Sequence, residues 1–189
     1  MSSSIHQKTI PGLAGEIREH IDVTVEKCYQ CGKCSAGCPL SVEMDYPPSL
    51  LLRLIQTGDE ALEQKVLKSY TIWLCLSCEM CYQRCPMEID IPTLCDYLRS
   101  KSVELNLVNP KAKNIVKFHK AFLNSIKNTG RLFELGLIFK YKMASMNLMQ
   151  DVDMAPGMIS KGKLHFLPEK IKNTAQIKRI FKKTIAKKD

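Results

Sequence analysis

With 189 residues, 45% of them hydrophobic and 25% charged, the chain has the composition of a globular protein able to bury a core, and not that of a disordered or membrane-embedded one. Its longest stretch free of Asp, Glu, Lys and Arg is Ser69–Cys78, ten residues, against the roughly 18 a spanning helix needs. No secretory signal is read at Met1–Lys8, so the expected compartment is the cytoplasm. The net charge of +9 is uneven: residues 1–100 carry nine Lys/Arg against thirteen Asp/Glu, residues 101–160 nine against four, and residues 161–189 ten against Glu169 and Asp189. That distribution predicts two functional zones.

In chain order, residues 1–19 form an N-terminal segment with no assigned role. Residues 20–108 read as a helical two-cluster ferredoxin domain, framed by cysteine runs at 28–39 and 75–86. Between the runs, Asp45-Tyr46-Pro47-Pro48 starts a helix with the stripe Leu50, Leu51, Leu54 and Ile55, which Gly58 closes. Asp59 caps a second, shorter helix reaching Ser69. Ile91-Pro92-Thr93 opens another that runs to about Asn106. Residues 109–150 read as a helical pair, with Ile115, Phe118, Phe122 and Ile126 on the first helix. Leu132, Phe133, Leu135, Ile138, Phe139 and Met143 are on the second. These stripes suit packed core and a protein interface equally. Residues 151–189 form a basic tail, irregular through Pro156, Gly157, Gly162 and Pro168. The terminal helix from Thr174 sets Ile177, Ile180, Phe181 and Ile185 against Lys178, Arg179, Lys182 and Lys183. Its charges suit a solvated face, an acidic partner, or a membrane or nucleic-acid surface.

Eight of the nine cysteines repeat one spacing, C-x2-C-x2-C-x3-C-P. The first copy is Cys28, Cys31, Cys34 and Cys38-Pro39, and the second is Cys75, Cys78, Cys81 and Cys85-Pro86. In a reducing compartment clustered thiols point to metal or redox chemistry instead of disulfides. Zinc prefers two separated C-x2-C pairs, whereas two complete runs each ending in Cys-Pro match two-cluster ferredoxins. Three thiolates two residues apart hold three corners of a cubane. The proline turns the chain away, so the fourth thiolate reaches the other cluster. The expected ligand sets are therefore Cys28, Cys31, Cys34 and Cys85 for one 4Fe–4S cluster, and Cys75, Cys78, Cys81 and Cys38 for the second. Lys33 and Arg84, inside the two loops, are candidates for raising the cluster potentials. Cys95, in an apolar helical stretch, reads as a buried structural thiol. His6, His20, His119 and His165 have no ligand-like spacing.

No dinucleotide-binding glycine motif, Walker loop, nucleophile elbow, Cys-Cys pair or acid–base constellation is present. Two clusters without substrate machinery describe an electron conduit, not a catalyst on its own.

Cys28-Tyr-Gln-Cys-Gly-Lys-Cys-Ser-Ala-Gly-Cys-Pro39 and Trp73-Leu-Cys-Leu-Ser-Cys78 resemble the C subunit of heterodisulfide reductases. The likeness continues through Arg131–Ser145 and Pro156-Gly-Met, Lys163-Leu and Leu167-Pro168, and is weakest over the first 20 residues. The resemblance implies a cytoplasmic complex in which this subunit passes electrons from a flavin- and cluster-bearing A subunit. The acceptor is a B subunit, whose CCG-motif clusters reduce a disulfide. Two other readings predict different partners. An iron–sulfur subunit of a membrane-associated dehydrogenase or fumarate reductase relative needs a membrane-anchored partner. A metal-dependent nucleic-acid-binding regulator shows steeply salt-dependent binding.

Overall fold

The computed structural model describes residues 12–146, 155–161, 167–169 and 171–186, and among these it is mainly helical with no strand. His6, His165, Gly162 and the Lys163-Leu164 pair fall outside the described residues. The chain divides into two compact units, with the break between Ala112 and Lys113.

The first unit holds α1 (Leu13–Ile21), α2 (Lys33–Ala36), α3 (Pro48–Gln56), α4 (Glu60–Leu67), α5 (Thr71–Leu74), α6 (Met80–Gln83) and α7 (Ile91–Glu104). Local signals set their ends. Pro48 occupies the first turn of α3, where its missing N–H costs nothing, and Gly58 at φ 64° lets the chain leave. Asp59 caps α4 by accepting from the Leu62 amide at 3.0 Å, and Asp90 caps α7 by accepting from the Thr93 amide at 3.0 Å.

The core is formed by Ile17, Val25, Leu51, Leu52, Ile55, Val66, Ile72, Leu94 and Leu98, all at most 1% exposed. Burying each such side chain contributes about 1.5–3 kcal/mol. The buried face of α3 differs from the expected stripe. Pro48, Leu51, Leu52 and Ile55 point inward, while Leu50 is exposed and Leu54 only half-buried. Both stripes have helical spacing, and the packing of α3 against α1, α2 and α4 selects the one that includes Leu52.

Helix α1 lies mostly in the stretch to which the sequence assigned no role. It buries Leu13, Ala14 and Ile17, and its Glu16 forms an ion pair with Lys101 of α7. The Leu13 amide donates to Glu63 Oε1 at 2.8 Å, which fastens α1 to α4.

The second unit holds α8 (Lys113–Thr129), α9 (Glu134–Ser145), α10 (Ala155–Ser160) and α11 (Thr174–Ala186). Helix α10 falls in a stretch expected to be irregular. The buried face of α8 is Ala121, Ser125 and Thr129, small residues that let α9 approach. The Phe133 amide at the start of α9 donates to Ser125 Oγ at 3.0 Å. The expected apolar stripe of α8 is not its buried face: Ile115, Phe122 and Ile126 are half-buried and Phe118 is exposed. Phe118 instead meets Tyr141 edge-on, with ring centroids 5.7 Å apart. On α9, Leu137 is buried while Ile138, Phe139 and Met143 are exposed.

Candidate metal centre

The two cysteine runs fold into the same backbone figure. A short helical turn ends at the first cysteine, Val25–Lys27 before Cys28 and α5 before Cys75. The second residue after that cysteine has positive φ in both copies, Gln30 at 62° and Ser77 at 52°. So does the fourth, Gly32 at 75° and Glu79 at 60°, and each leads directly into a four-residue helix, α2 or α6. A left-handed residue followed by right-handed helix makes a nest, a concavity where backbone N–H groups converge on an anion and one used at iron–sulfur sites. The third cysteine of each run, Cys34 or Cys81, is buried on the short helix; the second, Cys31 or Cys78, is exposed; the others are half-buried.

A cavity in the first unit gathers thiols from both runs: Cys38 with Cys75, Cys78 and Cys81, and with them Cys95 of α7. Leu40, Met44, Leu51, Met80 and Ile91 supply an apolar wall. Around the first loop, the exposed Tyr29 has its phenol pKa pushed up by desolvation and then by the neighbouring thiols Cys31, Cys85 and Cys28. Cys34 is pushed up by burial and, to a lesser degree, by Cys28. Cys38 therefore shares a cavity with the thiols of the opposite run, and Cys85 acts on Tyr29 together with Cys28 and Cys31.

Within the cavity the thiols differ in acidity. A hydrogen bond from Cys95 holds Cys75 down to about 6 against the opposing effect of burial, with help from the Ser77 amide and Arg99. Burial pushes Cys81 up to about 11, and its share of that hydrogen bond, together with burial, raises Cys95. The thiolate is the metal-binding form, so Cys75 is the thiol most ready to bind a metal at neutral pH among these three.

Side chains from the longer helices hold both loops, and the pattern again repeats. Gln56, on α3, donates through Nε2 to the carbonyls of Val25 at 3.0 Å and Cys28 at 2.8 Å. Arg99, on α7, donates through Nε to the carbonyl of Ile72 at 2.5 Å and through Nη2 to that of Cys75. Each is the ninth residue of its helix, and each ties the first cysteine of its run and the residue three before it. The second loop has a further anchor. Asp45 accepts from the amides of Tyr70 at 2.7 Å and Thr71 at 2.8 Å and from the Thr71 hydroxyl at 2.5 Å, capping α5. Burial alone would raise its pKa, but these hydrogen bonds outweigh it and hold the carboxyl below its usual range.

The donor set fits iron–sulfur clusters: thiols graded from buried to exposed in the same order in both runs, an apolar wall and two anion-binding nests. No three His, Cys, Asp or Glu side chains among the described residues gather around a single-ion position. A cubane makes a different demand, one thiolate on each of four irons. Gln56 and Arg99 are not announced by the sequence, because a single polar residue among the others of its helix has no spacing that tells what it holds. Sequence reasoning places Asp45 at the start of α3, whereas the carboxylate caps α5. Cys95 is buried as expected, but it also lines the thiol cavity.

Comparison with known proteins bears on this geometry. Residues 24–89 match the 4Fe-4S dicluster domain. The iron-sulfur C subunit of a CoB–CoM heterodisulfide reductase from Methanopyrus kandleri is 39% identical over 69 residues, 36% of this chain and 34% of that protein. The corresponding C 2 iron-sulfur subunit from Methanocaldococcus jannaschii is 27% identical over 117 residues, covering 62% and 61%. The C subunit of a ferredoxin:CoB-CoM heterodisulfide reductase from Methanosarcina acetivorans is 32% identical over 87 residues, covering 46% and 34%. The chain thus spans between a third and three fifths of the length of these curated relatives. No described helix is long and apolar enough to cross a membrane. Residues 24–89 thus resemble a 4Fe–4S dicluster domain, and over part of its length the chain is similar to the iron–sulfur C subunits of heterodisulfide reductases.

Proposed function

We propose that this chain is the electron-transfer subunit of a heterodisulfide reductase-like complex in the cytoplasm. It carries one 4Fe–4S cluster on Cys28, Cys31, Cys34 and Cys85 and a second on Cys75, Cys78, Cys81 and Cys38. The observation that supports this most directly is the presence of Cys38 in one cavity with the three cysteines of the other run. When bound, each cluster takes up and gives back one electron. The protein's own groups do the rest. The two nests offset the negative charge of the thiolates, and the apolar wall around Leu40, Met44 and Leu51 keeps water off one side. The interleaved ligands draw the two centres together. Exposed Cys31 and Cys78 bring the edge of each to the surface, where a donor and an acceptor approach.

In this reading the donor is a flavin- and cluster-bearing A subunit and the acceptor a B subunit whose CCG-motif clusters reduce a disulfide. The exposed Ile138, Phe139 and Met143 of α9 and the basic residues of α11 serve as docking surfaces.

The decisive experiment is iron and acid-labile sulfide analysis with EPR of the dithionite-reduced protein, purified without oxygen. About eight irons per chain and two magnetically coupled reduced centres are expected. Zinc without labile sulfide overturns the reading. Mild affinity capture from the native host tests the assembly, and recovery of neither a flavoprotein nor a CCG-motif protein removes the proposed partners.

A further inference from the structure

The equivalence of Gln56 and Arg99 carries a consequence for the order of the two centres, one that rests on the two-cluster reading. Both side chains close the same pair of carbonyls in their own copy of the repeat, from the same position in their helix. Gln56 is neutral and Arg99 is a cation. Its side chain is only 19% exposed and is fixed by both carbonyls, so the charge is lightly screened and stays next to Cys75. Reducing a 4Fe–4S centre adds one electron from an external reductant and makes the site more negative, so a fixed neighbouring cation favours the reduced form. We infer that Arg99 makes the cluster held by Cys75, Cys78, Cys81 and Cys38 the higher-potential member of the pair, and thus the one on which a single electron resides.

Asp45, at the start of α5, is an anion on the same loop and opposes Arg99, but it is exposed and more heavily screened. The other polar groups near the loops leave that order in place. Lys33 and Arg84 are exposed, one in each run, and Arg84 lies across Gly37 beside Cys38 instead of over its own loop. Glu79, beside Cys78, is exposed as well. On the first loop, Gln30 Nε2 donates to Cys28 Sγ at 3.3 Å, which favours reduction there. That donor carries no net charge and the contact is exposed, so it is more heavily screened than the guanidinium of Arg99. Asp96 accepts from Arg99 Nη1 at 2.8 Å and opposes it, but Asp96 is 64% exposed and the more heavily screened of the two. Solvent does not break the tie, because the ligands match pairwise: Cys31 with Cys78 exposed, Cys34 with Cys81 buried, the rest half-buried.

The test is an EPR-monitored redox titration of the full chain, purified without oxygen, as wild type and as Arg99→Gln, Arg99→Lys and Asp96→Asn. Arg99→Gln lowers the higher of the two midpoints, reducing the reduced-to-oxidised ratio at fixed potential about tenfold, about 59 mV for a one-electron couple. The lower midpoint stays in place. Arg99→Lys recovers most of the shift. Asp96→Asn, at an exposed position, moves the same midpoint upward. Equal shifts of both midpoints, a shift confined to the lower one, or no shift with iron retained overturns the inference. If Arg99→Gln fails to hold iron, Asp96→Asn decides alone: an upward shift supports the inference and an unmoved midpoint sinks it. Failure of the two-cluster reading is seen separately, as wild-type protein lacking two centres.

Discussion

The loop at Cys28 and the loop at Cys75 reach one backbone shape with different side chains. In the first, the left-handed position before the short helix is filled by Gly32, which adopts φ 75° without penalty, and the carbonyls are tied by the neutral Gln56. In the second, Glu79 occupies the same conformation at a cost, and the loop is held harder, by Arg99 and by the Asp45 cap on α5. The spacing of the cysteines sets the backbone, and the loop with the additional left-handed side chain, Glu79, is also the one with the additional anchor.

The proposed crossing of the fourth cysteines is the feature whose loss has the largest expected effect. In that assignment Cys38→Ser removes a ligand from the cluster of the Cys75 loop, and Cys85→Ser one from the cluster of the Cys28 loop. Each variant is expected to lose about four irons of about eight, and to replace the coupled EPR signal by that of one isolated centre. The two remaining centres should differ in spectrum. Cys95→Ala should keep its full iron content although Cys95 lines the same cavity. Loss of iron from Cys95→Ala, or full iron in Cys38→Ser, breaks the assignment.

Gln56 is the next point of attack. Gln56→Leu keeps the volume on α3 but leaves the carbonyls of Val25 and Cys28 without their donor. The expected cost is about 1–3 kcal/mol, read as a lower denaturation midpoint in the cluster-loaded protein. An unchanged midpoint means that the first loop is held by its cluster alone.

Asp45→Ala strips the amide and hydroxyl acceptor from the start of α5. The expected loss is about 0.5–2 kcal/mol, toward the lower end because Asp45 is exposed and water replaces part of the bonding. The folded pKa lies below the unfolded one. The contribution is therefore complete above about 3.9, the ordinary Asp value, and is lost only as the pH falls through the lower folded value. Urea midpoints of wild type and variant should differ by a constant amount from neutral pH down to about 5; a gap that closes in that range contradicts the assignment.

The two loops also mark what the sequence discloses. Cysteine spacing, Pro48, Gly58, Asp59 and Pro92 act over a few residues, so the runs, α3, α4 and α7 are legible from local chemistry alone. Gln56, Arg99 and Asp45 act across 24 to 31 residues of chain, and nothing adjacent to them states what they hold. The face of α3 departs from the expected one at Leu50 and Leu54, which give way to Leu52, because these leucines are alike in kind and only the packing of neighbouring helices distinguishes them. In α8 the same cause acts more strongly. Large apolar residues point to Phe118 and Phe122, while the close helix contact is made by Ala121, Ser125 and Thr129.

The smallest effects, and the sharpest test of the two-loop comparison, lie at Gly32 and Glu79. A Cβ built on Gly32 meets nothing within 4 Å, so Gly32→Ala isolates the backbone cost of a left-handed residue, about 1–2 kcal/mol. Glu79 already bears that cost. Glu79→Gly relieves it but gives the unfolded chain more freedom, so the two terms largely offset and leave a change between zero and about 1 kcal/mol in favour of the fold. The substitutions are mirror images on one backbone and should have opposite signs in denaturant midpoints. If Glu79→Gly destabilises as much as Gly32→Ala does, the Glu79 side chain holds the second loop through its own contacts, and the equivalence of the two loops ends at that residue.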